Sequence, residues 1–163
     1  MDYRKGQLII REKEVKQFID EISSDSGSSL LRRLGFPSNV TLDMDKLILS
    51  GHSFGGMTAV KVANTDSRVK LCATLDPWFF TYNEEINRGE FKFNIPQIIV
   101  STEMFHPFCD KYFPSWTSVK NMFKFSKNPR QENIIMKKTG HLHQCDLASV
   151  IPLELFLSAK VWP

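Results

Sequence analysis

Hydrophobic positions near the start of the chain recur with a helical period among charged and polar residues. The stripe consists of Leu8, Val15, Phe18, Ile19 and Ile22. This spacing predicts an amphipathic helix that buries one face. The tract 23–29 contains only Ser, Gly and Asp and predicts a solvated loop. A short apolar piece over 30–36 follows and ends at Pro37.

Four short apolar runs further along the chain predict β-strands. They cover 47–49, 69–75, 96–101 and 133–136. Each is continuous rather than alternating, which is typical of a strand buried on both faces by helices. A helical pattern follows the first run to about Ala63, and a last segment over 147–162 predicts a terminal helix that Pro152 opens. We therefore expect an α/β fold with about four parallel strands and flanking helices.

Composition, net charge and cysteine spacing limit the classes of function that the chain can have. With 163 residues, 42% of them hydrophobic and 24% charged, the chain predicts one globular domain. The net charge is +3 and both signs are interspersed, so we expect no nucleic-acid partner. Cys72, Cys109 and Cys145 lack metal-site spacing, which favours unpaired thiols in a reducing compartment. We find no signal peptide or membrane span and expect cytoplasmic localisation, or secretion if the natural N-terminus lies upstream of Met1.

The junction between the first strand and its helix carries the most specific motif. Gly51-His52-Ser53-Phe54-Gly55 has the Gly-x-Ser-x-Gly spacing of a nucleophile elbow. Such a turn predicts a strained serine whose hydroxyl points out of the sheet, and glycines at 51 and 55 because any Cβ there would collide with a neighbouring strand or helix. The Phe54 N–H would then face the oxygen of a reacting carbonyl.

A serine nucleophile needs a base and an orienting acid, which follow it at the ends of later strands in this class of fold. Asp76 and Glu103 both follow predicted strands, and both fit as the acid. His141 and His143 both follow the last strand, and both fit as the base. Position in the sequence leaves these alternatives open.

Three motifs resemble those of one enzyme family. Gly51 to Gly56 reads GHSFGG, residues 75–78 read LDPW and residues 140–144 read GHLHQ. Together they resemble the platelet-activating-factor acetylhydrolases, which are Ca²⁺-independent phospholipases A2 of the α/β-hydrolase superfamily. The resemblance implies Ser53 as nucleophile, Asp76 as acid and His143 as base, against Glu103 and His141.

The resemblance also implies a function. A serine esterase would hydrolyse the short sn-2 acyl ester of platelet-activating factor or a similar phospholipid, in lipid catabolism, with Phe54 as oxyanion donor and without a metal or cofactor. Hydrolysis of other small esters is a weaker alternative. Apolar residues in two regions after the third strand either pack in the core or touch a membrane or lipoprotein surface transiently. They are Phe105, Phe108, Tyr112, Phe113, Trp116, Leu153, Leu155, Phe156, Leu157, Val161 and Trp162.

The chain departs from the family pattern at its start. Only 52 residues precede Ser53, too few for the early strands and for the loop that supplies a second oxyanion donor. We therefore expect residues 1–163 to form a single partial α/β-hydrolase domain truncated to the C-terminal half, with a helix and Ser/Gly lead-in over 1–45 and the region from elbow strand to C-terminal helix over 46–163. An open sheet edge predicts self-association. The alternative is a non-catalytic, truncated or degenerate chain that needs a partner or the missing N-terminal half.

Overall fold

The computed structural model describes residues 2–24, 26–91, 93–105, 119–146 and 150. The helices are α1 (Asp2–Ser23), α2 (Ser26–Arg33), α3 (Ser53–Thr65), α4 (Asn83–Asn87) and α5 (Val119–Lys124). The strands are β1 (Ile48–His52), β2 (Leu71–Leu75), β3 (Gln97–Thr102) and β4 (Gln131–Met136). Short 3₁₀ turns cover Met44–Lys46, Phe79–Tyr82 and His141–Gln144. Within these ranges, no helix combines the length and the hydropathy that crossing a membrane requires.

The four strands form one parallel sheet in the order β1-β2-β3-β4. This confirms the predicted α/β fold with flanking helices. The register pairs His52 with Leu75 across β1 and β2, and Leu75 with Val100 across β2 and β3. Because the strands are parallel, the residues that follow β1, β2, β3 and β4 meet at one edge of the sheet.

The outermost strand β4 differs from the prediction. Its residues 132–136 are exposed, including Ile134 at 49% and Ile135 at 46%, whereas the apolar run predicted a strand buried on both faces. Ile134 and Ile135 are neighbours in the strand and so point to opposite faces, which means that neither face of β4 is fully covered at these positions. β4 is also an outer strand of the described sheet and pairs only with β3 there.

The regions that follow β3 and β4 are described only in part. Phe105, the first of the apolar residues that could pack in the core or touch a lipid surface, is buried. The other members of that set lie outside the described residues, since residues 106–118 and 151–163 are not among them. The terminal helix predicted over 147–162 also lies outside the described residues, apart from Val150.

Helix α1 confirms the predicted amphipathic helix, with one correction to its stripe. Leu8 and Ile19 are fully buried, but Phe18 is 56% exposed. At 100° per residue Phe18 lies about 80° away from Leu8 around the helix axis, so it falls at the margin of the buried face.

The predicted loop over 23–29 is also shorter than expected, because α2 already begins at Ser26. Gly27 is buried in this helix-to-helix turn, and a Cβ there would lie 2.4 Å from the Ile22 carbonyl oxygen. The tract therefore packs closely at Gly27, where a glycine is required. Four of its serines are exposed, namely Ser23, Ser24, Ser28 and Ser29.

Glu12 joins α1 to the elbow helix α3. Its carboxylate accepts hydrogen bonds from Lys16 at 2.7 Å and Thr65 at 2.8 Å, and pairs with Lys61 at 3.0 Å. Burial of the carboxyl raises its pKa, but the hydrogen bonds from Lys16, Thr65 and Lys61 outweigh burial and lower the pKa to about 2. Since Lys61 and Thr65 lie on α3, the ionised form of Glu12 holds the two helices together.

We expect Glu12→Gln to lower the free energy of unfolding at pH 7 by about 1–2 kcal/mol. Because the pKa of Glu12 is depressed in the folded state, its contribution is present above the ordinary carboxyl range and is lost as the pH falls toward about 2. Urea unfolding between pH 7 and about pH 2.5 should therefore show less acid destabilisation in the variant. Equal pH dependence in both proteins would contradict this assignment.

Candidate active site

Ser53 lies at the junction of β1 and α3 in a strained conformation. Its φ is +56°, in the left-handed region that non-glycine residues avoid. A Cβ on Gly51 would lie 2.4 Å from the Gly55 carbonyl oxygen, so this turn requires glycine at 51. The prediction that a Cβ at position 55 would collide with a neighbour is wrong, because a Cβ there meets nothing within 4 Å. Gly56 is the second tight position, where a Cβ would lie 3.0 Å from both the Gly51 carbonyl oxygen and Pro77 Cα.

Asp76 follows β2 and is completely buried, again with a positive φ of +40°. Its two carboxylate oxygens accept hydrogen bonds from Thr102 at the end of β3. The Thr102 backbone N–H donates to Oδ1 at 2.7 Å and the Thr102 hydroxyl donates to Oδ2 at 2.6 Å. These charge-assisted bonds offset the cost of burying the carboxylate and fix its orientation.

His141 connects Ser53 to Asp76. Its Nε2 lies 2.8 Å from Ser53 Oγ, and its Nδ1 lies 3.2 Å from Asp76 Oδ2. A carboxylate only accepts hydrogen bonds, so Nδ1 carries a proton and its N–H donates a hydrogen bond to Asp76. Nε2 is then free to accept the hydrogen bond from the Ser53 hydroxyl. This is the geometry of a serine nucleophile, its base and the acid that orients the base.

The structure contradicts the predicted placement of His143 at this site. His143 is exposed, and its Nδ1 accepts a hydrogen bond from the Gly140 N–H at 2.9 Å. Successive residues of a 3₁₀ turn are rotated by about 120°, so two histidines two positions apart point in different directions. In this turn it is His141 that faces Ser53, and His143 instead closes the start of the turn.

The other alternative, Glu103, does not join the site. Its carboxylate accepts hydrogen bonds from Lys137 at 3.0 Å and from the Lys138 N–H at 2.7 Å. The hydrogen bond from the Lys138 N–H, followed by that from Lys137, lowers the pKa of Glu103. Glu103 therefore stabilises the turn after β4, and Asp76 is the carboxylate that contacts His141.

Phe54 is the first residue after Ser53 in α3. The first N–H groups of a helix lack intrahelical acceptors. Among the described residues, the Phe54 N–H has no hydrogen-bond acceptor. The helix N-terminus also carries partial positive charge. Phe54 is thus suited to receive an oxyanion, as the elbow motif predicts.

Two aromatic residues that the sequence did not assign to the site enclose His141. The His52 ring lies 4.5 Å from the His141 ring, and the Phe105 ring stacks on it at 4.0 Å. His52 Nε2 also lies 3.1 Å from the His141 carbonyl oxygen, which only accepts, so His52 donates. Burial and the neighbouring His141 lower the pKa of His52, against the opposing effects of the His141 carbonyl and Asp76. A neutral His52 is therefore favoured beside the base.

Potential metal ligands also converge here. One donor atom each from His52, Asp76 and His141 lies within 4.8 Å of the others. His141 already uses both ring nitrogens on Ser53 and Asp76, so a metal bound by all three would break that chain of hydrogen bonds. The expectation that no metal is needed stays a prediction.

A family model described as "Platelet-activating factor acetylhydrolase, isoform II" matches residues 2–159. Three curated relatives carry the name platelet-activating factor acetylhydrolase. The protein of Cavia porcellus is 29% identical over 86% of this chain and 31% of its own length. Those of Bos taurus and Canis lupus familiaris are each 28% identical over 86% of this chain and 30% of their own length.

The chain thus spans about a third of the length of the relatives that it matches. The match nevertheless covers both the elbow and the histidine turn. The names of these relatives identify them as hydrolases. This chain belongs to the platelet-activating factor acetylhydrolase family, isoform II.

Proposed function

We propose that this chain is a serine esterase that hydrolyses the short sn-2 acyl ester of platelet-activating factor or a similar phospholipid. The observation that carries the proposal is the continuous hydrogen-bonded series from Ser53 Oγ through His141 to Asp76. The substrate class is supported by the names of the relatives. The residues at the site then act as follows.

Ser53 Oγ attacks the acyl carbonyl carbon while His141 Nε2 takes the hydroxyl proton. Asp76 holds the Nδ1 proton and stabilises the imidazolium that forms. The Phe54 N–H donates to the tetrahedral oxyanion. Collapse breaks the ester bond, and His141 returns its proton to the departing sn-2 oxygen, which leaves as lyso-phospholipid.

Deacylation repeats these steps with water. The water loses a proton to His141 and attacks the acyl-serine carbonyl, and the second collapse releases acetate and restores the Ser53 hydroxyl. The protons that move come from the Ser53 hydroxyl in acylation and from water in deacylation, and His141 passes each one to the oxygen that leaves.

The test is acetate release from a short-chain phospholipid by the purified 163-residue chain, with Ser53→Ala as control and with EDTA present. Hydrolysis that requires Ser53 supports the proposal. Absence of hydrolysis, or equal hydrolysis by Ser53→Ala, would exclude it.

A second candidate is a non-catalytic chain that associates through its sheet edges. It is favoured by β1 and β4, which are the outer strands of the described sheet and expose Ile48 at 56% and Ile134 at 49%. Sedimentation of the wild-type chain beside Ile134→Lys tests the association, because a self-associating edge should dissociate when a charge is placed on it. Association without any Ser53-dependent acetate release would favour this candidate over the esterase.

The contacts of His52 predict that it positions the base. An organophosphonate ester forms a covalent bond with an activated serine, and the rate of this labelling reports how well the base is aligned. We expect His52→Ala to slow the labelling of Ser53 by about 10- to 100-fold, because a small displacement of His141 misaligns the proton transfer. His52→Gln retains an N–H donor for the His141 carbonyl and should lose less. A labelling rate that does not change in His52→Ala would show that His141 holds its orientation without this residue.

A further inference from the structure

Arg4 of α1 reaches the elbow from a distant part of the chain. Its guanidinium carbon lies 5.6 Å from the centre of the Phe54 ring and 5.7 Å from the centre of the Trp78 ring. Phe54 follows Ser53 directly, and the Trp78 N–H donates to the Ser53 carbonyl at 3.0 Å. A permanent positive charge therefore lies over two aromatic rings, one on the residue after Ser53 and one on a residue that bonds to the Ser53 backbone.

Arg4, like Arg11, has no acidic partner among the described residues, although two lysines of α1 do. Lys5 pairs with Glu85 and Lys16 pairs with Glu12, whereas Arg4 makes no ion pair among the described residues. Its side chain donates to the Gln7 amide oxygen at 2.9 Å, and the residue is exposed. Cation–π contacts hold a guanidinium plane while leaving N–H groups at its edge available to an anion.

We propose that Arg4 binds the phosphodiester of the substrate and so selects phospholipid esters over neutral esters. This inference rests on the proposed function. In a glycerophospholipid, the sn-2 ester and the phosphate are attached to neighbouring glycerol carbons. An ester carbonyl at Ser53 therefore brings the phosphate close to the elbow, where the Arg4 guanidinium can donate two parallel hydrogen bonds to its oxygens.

The experiment compares kcat/KM for a short-chain phospholipid with kcat/KM for the neutral ester p-nitrophenyl acetate, using the full chain. We expect Arg4→Gln to lower the ratio of the two values about tenfold, the loss of one charge-assisted interaction at an exposed site. Arg4→Lys keeps the charge but not the paired donors and should give an intermediate ratio.

The matched control is Arg11→Gln. Arg11 is exposed on the same face of α1, about 10 Å further along the helix axis, so its replacement changes the net charge equally. The ratio in this control should equal that of the wild type. An equal fall in Arg11→Gln, or an Arg4→Gln variant that loses both activities in proportion, would show a general charge or packing effect and overturn the inference.

Inorganic phosphate tests whether Arg4 binds a free phosphate ion rather than the phosphodiester of the substrate. If phosphate inhibits neutral-ester hydrolysis in the wild type but not in Arg4→Gln, while the ratio of the two kcat/KM values is the same in both proteins, Arg4 binds free phosphate and the inference about the substrate is wrong. If the wild-type chain hydrolyses neither ester, the proposed function itself fails, and this inference fails with it. A phospholipid preference that Arg4→Gln retains would overturn only the inference.

Discussion

Replacing His141 by alanine is expected to slow organophosphonate modification of Ser53 by at least about 10³-fold, because the base that accepts the Ser53 proton is removed. The distances of 2.8 Å to Ser53 Oγ and 3.2 Å to Asp76 Oδ2 leave no other described side chain in that role. The measurement is the second-order rate constant of inactivation by a neutral aryl phosphonate.

The matched control is His143→Ala, which removes a histidine from the same turn. His143 bonds to the Gly140 N–H and is exposed, so its loss should slow the reaction by less than about tenfold through loosening of the turn. The opposite order, with His143→Ala inert and His141→Ala reactive, would restore the base that the family motif implies and refute the geometry described above.

The second large effect is a loss of stability, which we expect when Gly51 is replaced by alanine. An alanine Cβ there would lie 2.4 Å from the Gly55 oxygen and 2.5 Å from the Gly55 carbonyl carbon, both backbone atoms that cannot rotate away. We expect Gly51→Ala to lower the free energy of unfolding by about 3 kcal/mol and to misplace Ser53. Urea unfolding followed by circular dichroism measures the loss.

Gly55→Ala provides the comparison within the same motif. Its Cβ would meet no atom within 4 Å, and alanine is favoured over glycine in a helix by about 0.5–1 kcal/mol. This variant should be at least as stable as the wild type. Equal destabilisation at both positions would mean that the elbow does not have the backbone geometry described for Ser53.

Much of the fold could be predicted from the chain because its strands are contiguous apolar runs with a clear end. The run that leads to Asp76 ends at Leu75, where β2 ends, and the run 47–49 lies within three residues of the end of β1 at His52. Parallel pairing then places Ser53 and Asp76 at one edge of the sheet. The exposure of β4 could not be predicted in this way. An apolar run in the sequence does not show which strands and helices will pack against the strand it forms.

The histidine that contacts Ser53 could not be predicted correctly, because order along the chain does not fix the direction of a side chain. The family motif singles out the pair His143-Gln144, but in the structure His143 bonds to Gly140 and the Gln144 amide donates to the Val100 carbonyl at 3.0 Å. Gln144 thus ties the turn to β3, His143 closes the start of the turn, and His141 is the histidine that faces Ser53.

The contact of His52 with His141 and the position of Arg4 could not be predicted for a different reason. His52 lies 89 positions before His141, and Arg4 lies 50 positions before Phe54. No spacing rule links residues so far apart, because packing of α1 and of the last turn brings them together. His52 stands inside the elbow motif, but the Gly-x-Ser-x-Gly pattern leaves its position variable.

Mapping the phosphonate adduct by mass spectrometry tests most directly whether Ser53, activated by His141, is the nucleophile of this chain. The Cys72 thiol is a poor competitor because burial raises its pKa to about 12. We predict one adduct on the tryptic peptide 47–61, assigned by fragmentation to Ser53 rather than Ser50, and none in His141→Ala. An adduct on Ser50 or elsewhere, or undiminished labelling of Ser53→Ala, would contradict the assignment of Ser53.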